Sequence, residues 1–565
     1  MNQSGASTSL NRTAQFISKI LLTGALILLA YLFVVYLVYA FNLISFPFDY
    51  DQGEGFELYD VVMFGQFQWP YADIETYPFY GSIYPPLYHV LLVPFYWIFG
   101  AEYWYGRLFS FLTTLITAYL IGYTVQRETF RNNPTAHKIL TLTVALLSGL
   151  AFLSSNIVYH IGPLFRQHIS MFMFETIAIV LLAHANEITD DKRRRNILLL
   201  GFMALICAGY TKQLAAFTAI SALLFLLIRN PRRAIIWGMG FGIVTLLIFA
   251  FLTIATNGHW WTQSITANVK DFSLQQATGL FMTFFRTHFW LIVPSLLWIV
   301  YEVYFDHISI YSIWFVVTLG LNAFSAGTWG AGDSYYATPI AAMCVISGLF
   351  ASRTLTQRWT FRDNYLSRFI IQPAKRLTVI LNPAFLIIIP LFYLGYGQGV
   401  FHMPTHGAVF SDIAKTFDIH DNTGFQFYDP DGYITLAYAQ IGHLLKEQDR
   451  LNGETIVERI NAIPDDVLVL SEEAGFSFAT NREIITNPVV LKILDDVGVY
   501  DSSELVQMLE EQQFGLIVLR AQFFPVAVNI AITTYYEEAE QIVMNGFGYK
   551  ILYPRDVPLS PTEQG

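Results

Sequence analysis

The chain has 565 residues, a formal net charge of −11, 54% hydrophobic residues and only 13% charged ones. Soluble chains of this length carry about a quarter charged residues, so the composition excludes a soluble globular protein. The acidic balance, with positive charge confined to short clusters between apolar runs, gives no sign of nucleic-acid binding.

Apolar runs of about twenty residues recur through the first 396 positions, and each can cross a hydrocarbon core of about 30 Å. The first, from about Phe16 to Ile44, is too long for a signal-peptide core and lacks a small-residue cleavage site, which predicts a retained helix. The runs predict about eleven spans: 17–44, 107–126, 139–159, 169–186, 197–210, 214–228, 234–256, 287–304, 309–326, 337–351 and 377–396. Cys207 and Cys344 fall inside such runs and read as packed thiols, with no disulfide or CxxC pattern.

Positive charge tests the assignment. One set of loops holds Arg12, Lys19, Arg127, Arg131, Lys138, "KRRR" 192–195, Arg229, Arg232, Arg233, Arg353, Arg358, Arg362, Arg368, Lys375 and Arg376. The alternate set holds Arg107, Arg166, Lys212, Lys270 and Arg286. The asymmetry predicts a cytoplasmic N-terminus, and the retained first helix fits a multi-pass protein of a prokaryotic plasma membrane. If "YPPLYHVLLVPFYWIFG" 84–100 also crossed, every later loop would invert. Its three prolines and many aromatics predict a juxtamembrane helix instead, inside one external loop over 45–106.

Beyond residue 396 no run is long enough to span. "DVLVL" 466–470 and "GLIVLR" 515–520 read as buried parallel strands, with "YKILY" 549–553 as a candidate third. "NPVVLKILDDVG" and "SSELVQMLEEQQ" read as helices, the second capped by Ser502 or Ser503. Residues 397–565 thus predict a small extracytoplasmic α/β domain without a phosphate loop or nucleophile elbow, following a membrane domain over 1–396.

The external loop opens on "FDYDQGEGFELYD" 48–60, with Asp49, Asp51, Glu54, Glu57 and Asp60. One reading is structural: Asp51 caps a helix over about 52–66, Glu54 reaches back from N3, and Glu54, Glu57 and Asp60 face water. Capping needs one acid, so the Asp49/Asp51 pair leaves the other for a cavity. Other polar groups gather on the same side: Arg166 and His168 in "GPLFRQHIS", Lys212 and Gln213 in "GYTKQLA", and Asp333, Tyr335 and Tyr336 in "GTWGAGDSYYATP". Ionisable groups at membrane depth are expensive and are functional candidates. The ordinary alternatives are snorkelling for Lys212, a satisfied structural histidine for His168, and interface anchoring for the tyrosines and for Trp260 and Trp261. Together, a carboxylate could take a proton from an acceptor hydroxyl while Arg166 and Lys212 stabilise a phosphate leaving group.

The acidic "D-x-x-E" that begins the loop, followed by "WPYAD", "YPPLYHVLL" and "GRLFS" and later by "GYTKQLA" and "YYATPIAA", resembles the GT-C glycosyltransferases. Within them the likeness is to the branch containing protein O-mannosyltransferases and bacterial aminoarabinose transferases, over roughly residues 15–396. The resemblance implies a polyprenyl-phosphate sugar donor, a lipid, glycan or protein acceptor, and inverting displacement on the outer face. It implies Asp51 as the base, Asp49 as the reserve candidate, and Glu54 as a neighbour that orients or shares a metal. Lys212 and Arg166, with Gln213, His168 and Tyr336, would attend the donor phosphate. Relatives place an acid where this chain has His168, so a divalent metal such as Mg or Mn is possible but not required. The competing classes are a transporter or flippase of lipid-linked sugar, a surface-glycan polymerase or ligase, and a non-catalytic scaffold.

Overall fold

The computed structural model describes residues 3–363, 365–429 and 442–556. Eleven helices form the bundle: α1 (Gln3–Ile44), α4 (Tyr103–Asn132), α5 (Lys138–Ser154), α7 (His168–Ala185), α8 (Asp191–Thr211), α9 (Ala216–Arg229), α10 (Pro231–Ala255), α12 (Leu274–Phe305), α13 (Ile310–Ser325), α14 (Ala337–Leu355) and α15 (Ile371–Gly399). Four shorter helices serve the connections: α2 (Glu54–Gly65), α3 (Leu87–Phe99), α6 (Asn156–Ile161) and α11 (His259–Ser264). Each predicted span falls on a bundle helix, although 139–159 runs past the end of α5 into α6, and among the described residues seven helices are long and apolar enough to cross a membrane by length and composition. This is a multi-pass membrane fold.

The helices at the margin and centre of the bundle show why. In α10 only Ala234 and Leu252 are buried, and Ile236, Met239, Ile243, Leu246, Leu247, Phe251 and Ile254 are exposed. A helix apolar all round is stable with that surface in lipid. By contrast every residue of α14 is buried. Small residues permit the close crossings: a Cβ on Gly149 would lie 2.7 Å from the Ala118 carbonyl oxygen, and one on Gly122 2.9 Å from that of Ala145. Cys207 and Cys344 are free thiols in the helices, as the sequence suggests.

Arg107, in the first turn of α4, donates through Nη1 to the carbonyls of Leu43 (2.9 Å) and Phe46 (2.5 Å) and through Nη2 to Phe48 (2.8 Å). The start of α4 therefore stands on the end of α1, and the chain from 45 to 106 leaves and returns at one end of the bundle. The 13 residues of α3 are too few to cross at about 1.5 Å per residue. Its exposed Phe95, Trp97, Ile98 and Phe99 suit a membrane surface. This loop end also carries the chain beyond α15.

There, β1 (Met403–Pro404) pairs antiparallel with β2 (Phe427–Tyr428). A four-stranded sheet follows, of β3 (Leu468–Ser471), β4 (Phe514–Leu519), β5 (Tyr536–Met544) and β6 (Phe547–Pro554) in the order β3-β4-β6-β5. The parallel pairing of 466–470 with 515–520 holds in β3 and β4, with Val469 opposite Leu516. The third strand, β6, runs antiparallel, with Ile517 opposite Leu552, so the sheet is mixed. Helices Pro488–Asp496 and Ser503–Glu510 lie between β3 and β4 as expected. Ser502 is the N-cap residue of the second helix but its side chain makes no cap bond; the Asp501 carboxylate accepts from the Ser503 amide instead (3.0 Å). Ile74, Phe79 and Ile83 of the loop share one core with Leu491, Leu494 and Ile517, so this domain packs directly on the 45–106 loop. Residues 430–441 and 557–565 of the region 397–565 lie outside the described residues.

Candidate active site

The turn before α2 is built around Glu54. Fully buried, it accepts from the amides of Tyr50 (3.0 Å), Asp51 (3.3 Å) and Phe165 (2.7 Å) and pairs with Arg107 (2.7 Å). Burial pushes its carboxyl up, but the Arg107 guanidinium and the amide donors outweigh that and hold it below the ordinary value. Half of the predicted capping box therefore exists: Glu54 reaches back, but Asp51 does not cap. The N-cap is Gly53, at φ 102, and a Cβ there would lie 2.9 Å from Arg166 Nη2. Nor do Glu54, Glu57 and Asp60 face water; all three are buried, because α2 is covered by α3 and by the loop before α7.

Asp49 is also committed. Its Oδ1 accepts from the Gly55 amide (2.6 Å), and its Oδ2 from Tyr103 Oη (2.8 Å) and the Gly475 amide (2.9 Å). Asp51 differs. Its Oδ2 takes Arg166 Nε (2.8 Å) and Nη2 (2.6 Å), while its buried Oδ1 has no partner among the described residues. Burial raises the Asp51 carboxyl, against the opposing pull of Arg166.

Arg166 is brought to Asp51 by the turn between α6 and α7, and it also reaches Glu57 Oε1 (3.3 Å) and the Gln52 carbonyl. Beyond it, Lys212 at the end of α8 is 6% exposed and contacts His168 Nε2. The ammonium lies over the rings of Tyr84 (5.2 Å) and Tyr335 (5.9 Å), and no carboxylate lies within ion-pair distance among the described residues. Burial, and then the neighbouring Arg166 charge, pulls Lys212 down to about 7. His168 Nδ1 is buried without a partner among the described residues.

Two expected donor-side residues sit differently. Gln213 donates to the Ile83 carbonyl (3.0 Å), tying the α8–α9 turn to the first loop. Tyr336 is buried against Phe284, with ring centroids 4.7 Å apart, and its neighbour Tyr335 is the one that faces Lys212. The short 3-10 turn Asp333–Tyr336 sends adjacent tyrosines in different directions. Trp261 is exposed, as an interface anchor should be, but Trp260 is buried against Tyr71.

The sequence reading missed the partner of the helix acids. His89 Nε2 on α3 lies 2.6 Å from Glu57 Oε2 and 3.6 Å from Asp60 Oδ2. Asp60 also accepts from Tyr80 Oη (2.8 Å) and Ser82 Oγ (2.5 Å). Gln167, in the amide orientation its surroundings satisfy, donates to Glu57 Oε1 (3.0 Å). Burial lowers the His89 imidazole, yet the two carboxylates more than reverse this and leave it raised; burial lifts Asp60 to about 6. One ligand atom each from Glu57, Asp60 and His89 lies within 4.8 Å of the others, a set that could hold a divalent ion. A protonated His89 places its own positive charge between the same two carboxylates. The i, i+3 spacing of Glu57 and Asp60, and a histidine in an otherwise apolar juxtamembrane helix, are the signals that could have revealed the group.

No family model matches the chain, and no curated protein does. Among solved structures, the crystal structure of ArnT from Cupriavidus metallidurans in the apo state matches at 12% identity and a TM-score of 0.55, covering 94% of this chain and 98% of that one. The structure of the same protein bound to undecaprenyl phosphate matches at 14% identity and a TM-score of 0.54, with the same coverage. ArnT is an aminoarabinose transferase of the GT-C superfamily. At nearly full length on both sides, the likeness shows that this chain has the fold seen in ArnT.

Proposed function

We propose that the protein is an inverting membrane glycosyltransferase that moves a sugar from a polyprenyl-phosphate donor to an acceptor hydroxyl. The observation that carries this is Asp51 Oδ1, a buried acid oxygen without a partner among the described residues, on a carboxylate paired with Arg166, which in turn neighbours Lys212. Leaving such a group unsatisfied costs about 1–3 kcal/mol, which suits a position reserved for a substrate proton. The ArnT structure with undecaprenyl phosphate supports a lipid-phosphate donor for a chain of this fold.

In the reaction, Asp51 takes the acceptor hydroxyl proton as the acceptor oxygen forms its bond to the anomeric carbon. The anomeric C–O bond to phosphate breaks from the opposite side, and polyprenyl phosphate leaves with the electron pair. Arg166 then exchanges part of its contact with Asp51 for the phosphate, and Lys212 supplies the second charge. His168 Nε2, in contact with Lys212, orients that ammonium. Burial favours the base role because a raised carboxyl holds a proton better once it has accepted one. Asp49 and Glu54, with their oxygens engaged by amides, Tyr103 and Arg107, support the turn. The Lys/Arg asymmetry of the sequence supports a loop end that faces outward.

The test is sugar transfer in native-like membranes from a panel of radiolabelled polyprenyl-phosphate sugars. Asp51→Asn should lower turnover by about 10²–10⁴-fold in a folded protein, the usual worth of a general base. Undiminished transfer by Asp51→Asn would remove it from the chemistry. Movement of a lipid-linked sugar across the bilayer by the wild type, without transfer from any donor, would establish a transporter in its place.

A further inference from the structure

The two residues before Asp51 are gripped from the C-terminal domain at four separate points. The Tyr50 carbonyl accepts from Asn545 Nδ2 (2.7 Å) and Arg520 Nη2 (3.4 Å). The Tyr50 hydroxyl donates to the His443 carbonyl (2.9 Å) and accepts from the Gly442 amide (2.7 Å). Asp49 Oδ2 accepts from the Gly475 amide (2.9 Å). These groups come from the end of β4, the β5–β6 turn, the chain at 442–443 and the start of helix Ala474–Thr480.

The gripping groups are themselves fixed. Asn545 is fully buried at φ 53, and its amide donates to Asp449 Oδ1 (2.8 Å). Arg520 pairs with Glu473 and lies 3.6 Å over the Phe547 ring. Helix Ala474–Thr480 is pressed on the loop so closely that a Cβ on Gly55 would lie 2.9 Å from Ala474 Cβ. Docking alone does not need these contacts. The domain is already held to the first loop by the Ile74–Phe79–Leu491 core and by Asn487 Nδ2 on the Gly81 carbonyl (3.1 Å). The additional polar contacts converge on Asp49 and Tyr50, and two of them hold the Tyr50 carbonyl, one residue from the proposed base.

We propose that the C-terminal domain is a positioning element of the active site, in which Asn545 and Arg520 hold the Tyr50 carbonyl and so fix where the Asp51 carboxylate stands. This rests on the glycosyltransferase reading above. It gives the domain a role within the transfer step itself, because a reacting group displaced by about 1 Å can lose about a hundredfold in rate.

Asn545→Gly tests it in the full-length protein, since glycine keeps the left-handed backbone and the amide bond to Asp449 while removing only the side-chain donor. Asn487→Ala, which removes a docking bond away from Tyr50, is the control. In Asn545→Gly, kcat should fall about tenfold with the donor KM within about twofold, and amide hydrogen exchange over residues 50–55 should quicken. Asn487→Ala should do neither. An unchanged kcat in Asn545→Gly, or equal changes in both variants, would overturn the proposal. If the wild type transfers no sugar, the glycosyltransferase reading fails by itself. The exchange measurement then still decides the grip: quickening at 50–55 in Asn545→Gly alone sustains it, and no quickening refutes it.

Discussion

Both ends of the bundle bury acids, but they leave them in different states. At the end away from the first loop, Glu128 is held by Arg131 (2.6 Å) and Arg127 (3.3 Å), and Glu187 by Arg127 (2.5 Å). Asp306 lies between Arg362 (3.5 Å) and Arg353 (3.7 Å), and Glu302 accepts from the Ser309 amide and hydroxyl. Among the described residues, the buried carboxylate oxygens without a partner are Asp51 Oδ1 and Asp333 Oδ2, both at the loop end. Burial of an acid therefore does not mark the site here. An acid oxygen left unmatched sets Asp51 and Asp333 apart, because the fold otherwise matches them closely.

The same contrast runs within the loop end, and the largest expected effect breaks it there. Glu54→Gln removes the charge opposite Arg107 and should destabilise the protein by about 3–5 kcal/mol, the cost of leaving one partner of a buried pair. Thermal unfolding in detergent would read this as a clear fall in Tm. Asp51→Asn, three residues away in sequence, also weakens a buried pair, but Arg166 keeps Glu57 Oε1 (3.3 Å) and the Gln52 carbonyl, so Tm should fall less than in Glu54→Gln while turnover collapses. Equal losses of stability in the two variants would erase the distinction between support and chemistry.

At the closed end the effect should be smaller. Arg131 is about half exposed, so Glu128→Gln should cost about 1 kcal/mol of stability, as partly solvated pairs do. Turnover per folded molecule should stay at the wild-type level. A loss of turnover without a loss of fold would show that the two ends are coupled.

The bundle was legible because spans in lipid must be apolar along their whole length, so α1, α10 and α15 announce themselves by composition. The juxtamembrane helix was legible from its prolines and aromatics together with the charge asymmetry. Arg166, Lys212 and His168 could be placed on one side by counting crossings, and they do meet. What sequence order cannot encode is the direction of a side chain at a turn. Tyr335 and Tyr336 differ by one position, yet only Tyr335 reaches Lys212. Asp49 and Asp51 look equivalent until residues more than 400 positions later, at Gly475, claim the first. His89 stands alone among apolar residues in the sequence because its partners, Glu57 and Asp60, lie on another helix.

Lys212 gives the smallest and most diagnostic prediction. Its pKa is drawn from the usual lysine value down to about 7 because burial disfavours the ammonium and Arg166 repels it. The charge is therefore present below about pH 7 and lost as pH rises through it, so donor-phosphate binding should weaken on the alkaline side. For a single proton the charged fraction falls about threefold between about pH 6.5 and 7.5, and kcat/KM for the donor should follow. Bound phosphate favours the ammonium and should move the limb in kcat to higher pH. Lys212→Arg, whose charge does not titrate in this range, should flatten the alkaline fall, and Lys212→Met should lower kcat/KM at every pH. Linkage adds an independent check with the opposite sign. The unfolded chain binds the Lys212 proton up to its ordinary pKa while the folded chain does not, so Lys212 makes stability rise with pH from about 7 upward. Wild-type Tm should thus gain relative to Lys212→Met over the same pH range in which donor binding weakens. A parallel fall of both quantities would mean that Lys212 is charged at neutral pH, and that its environment at the loop end is as fully matched as the ion pairs at the other.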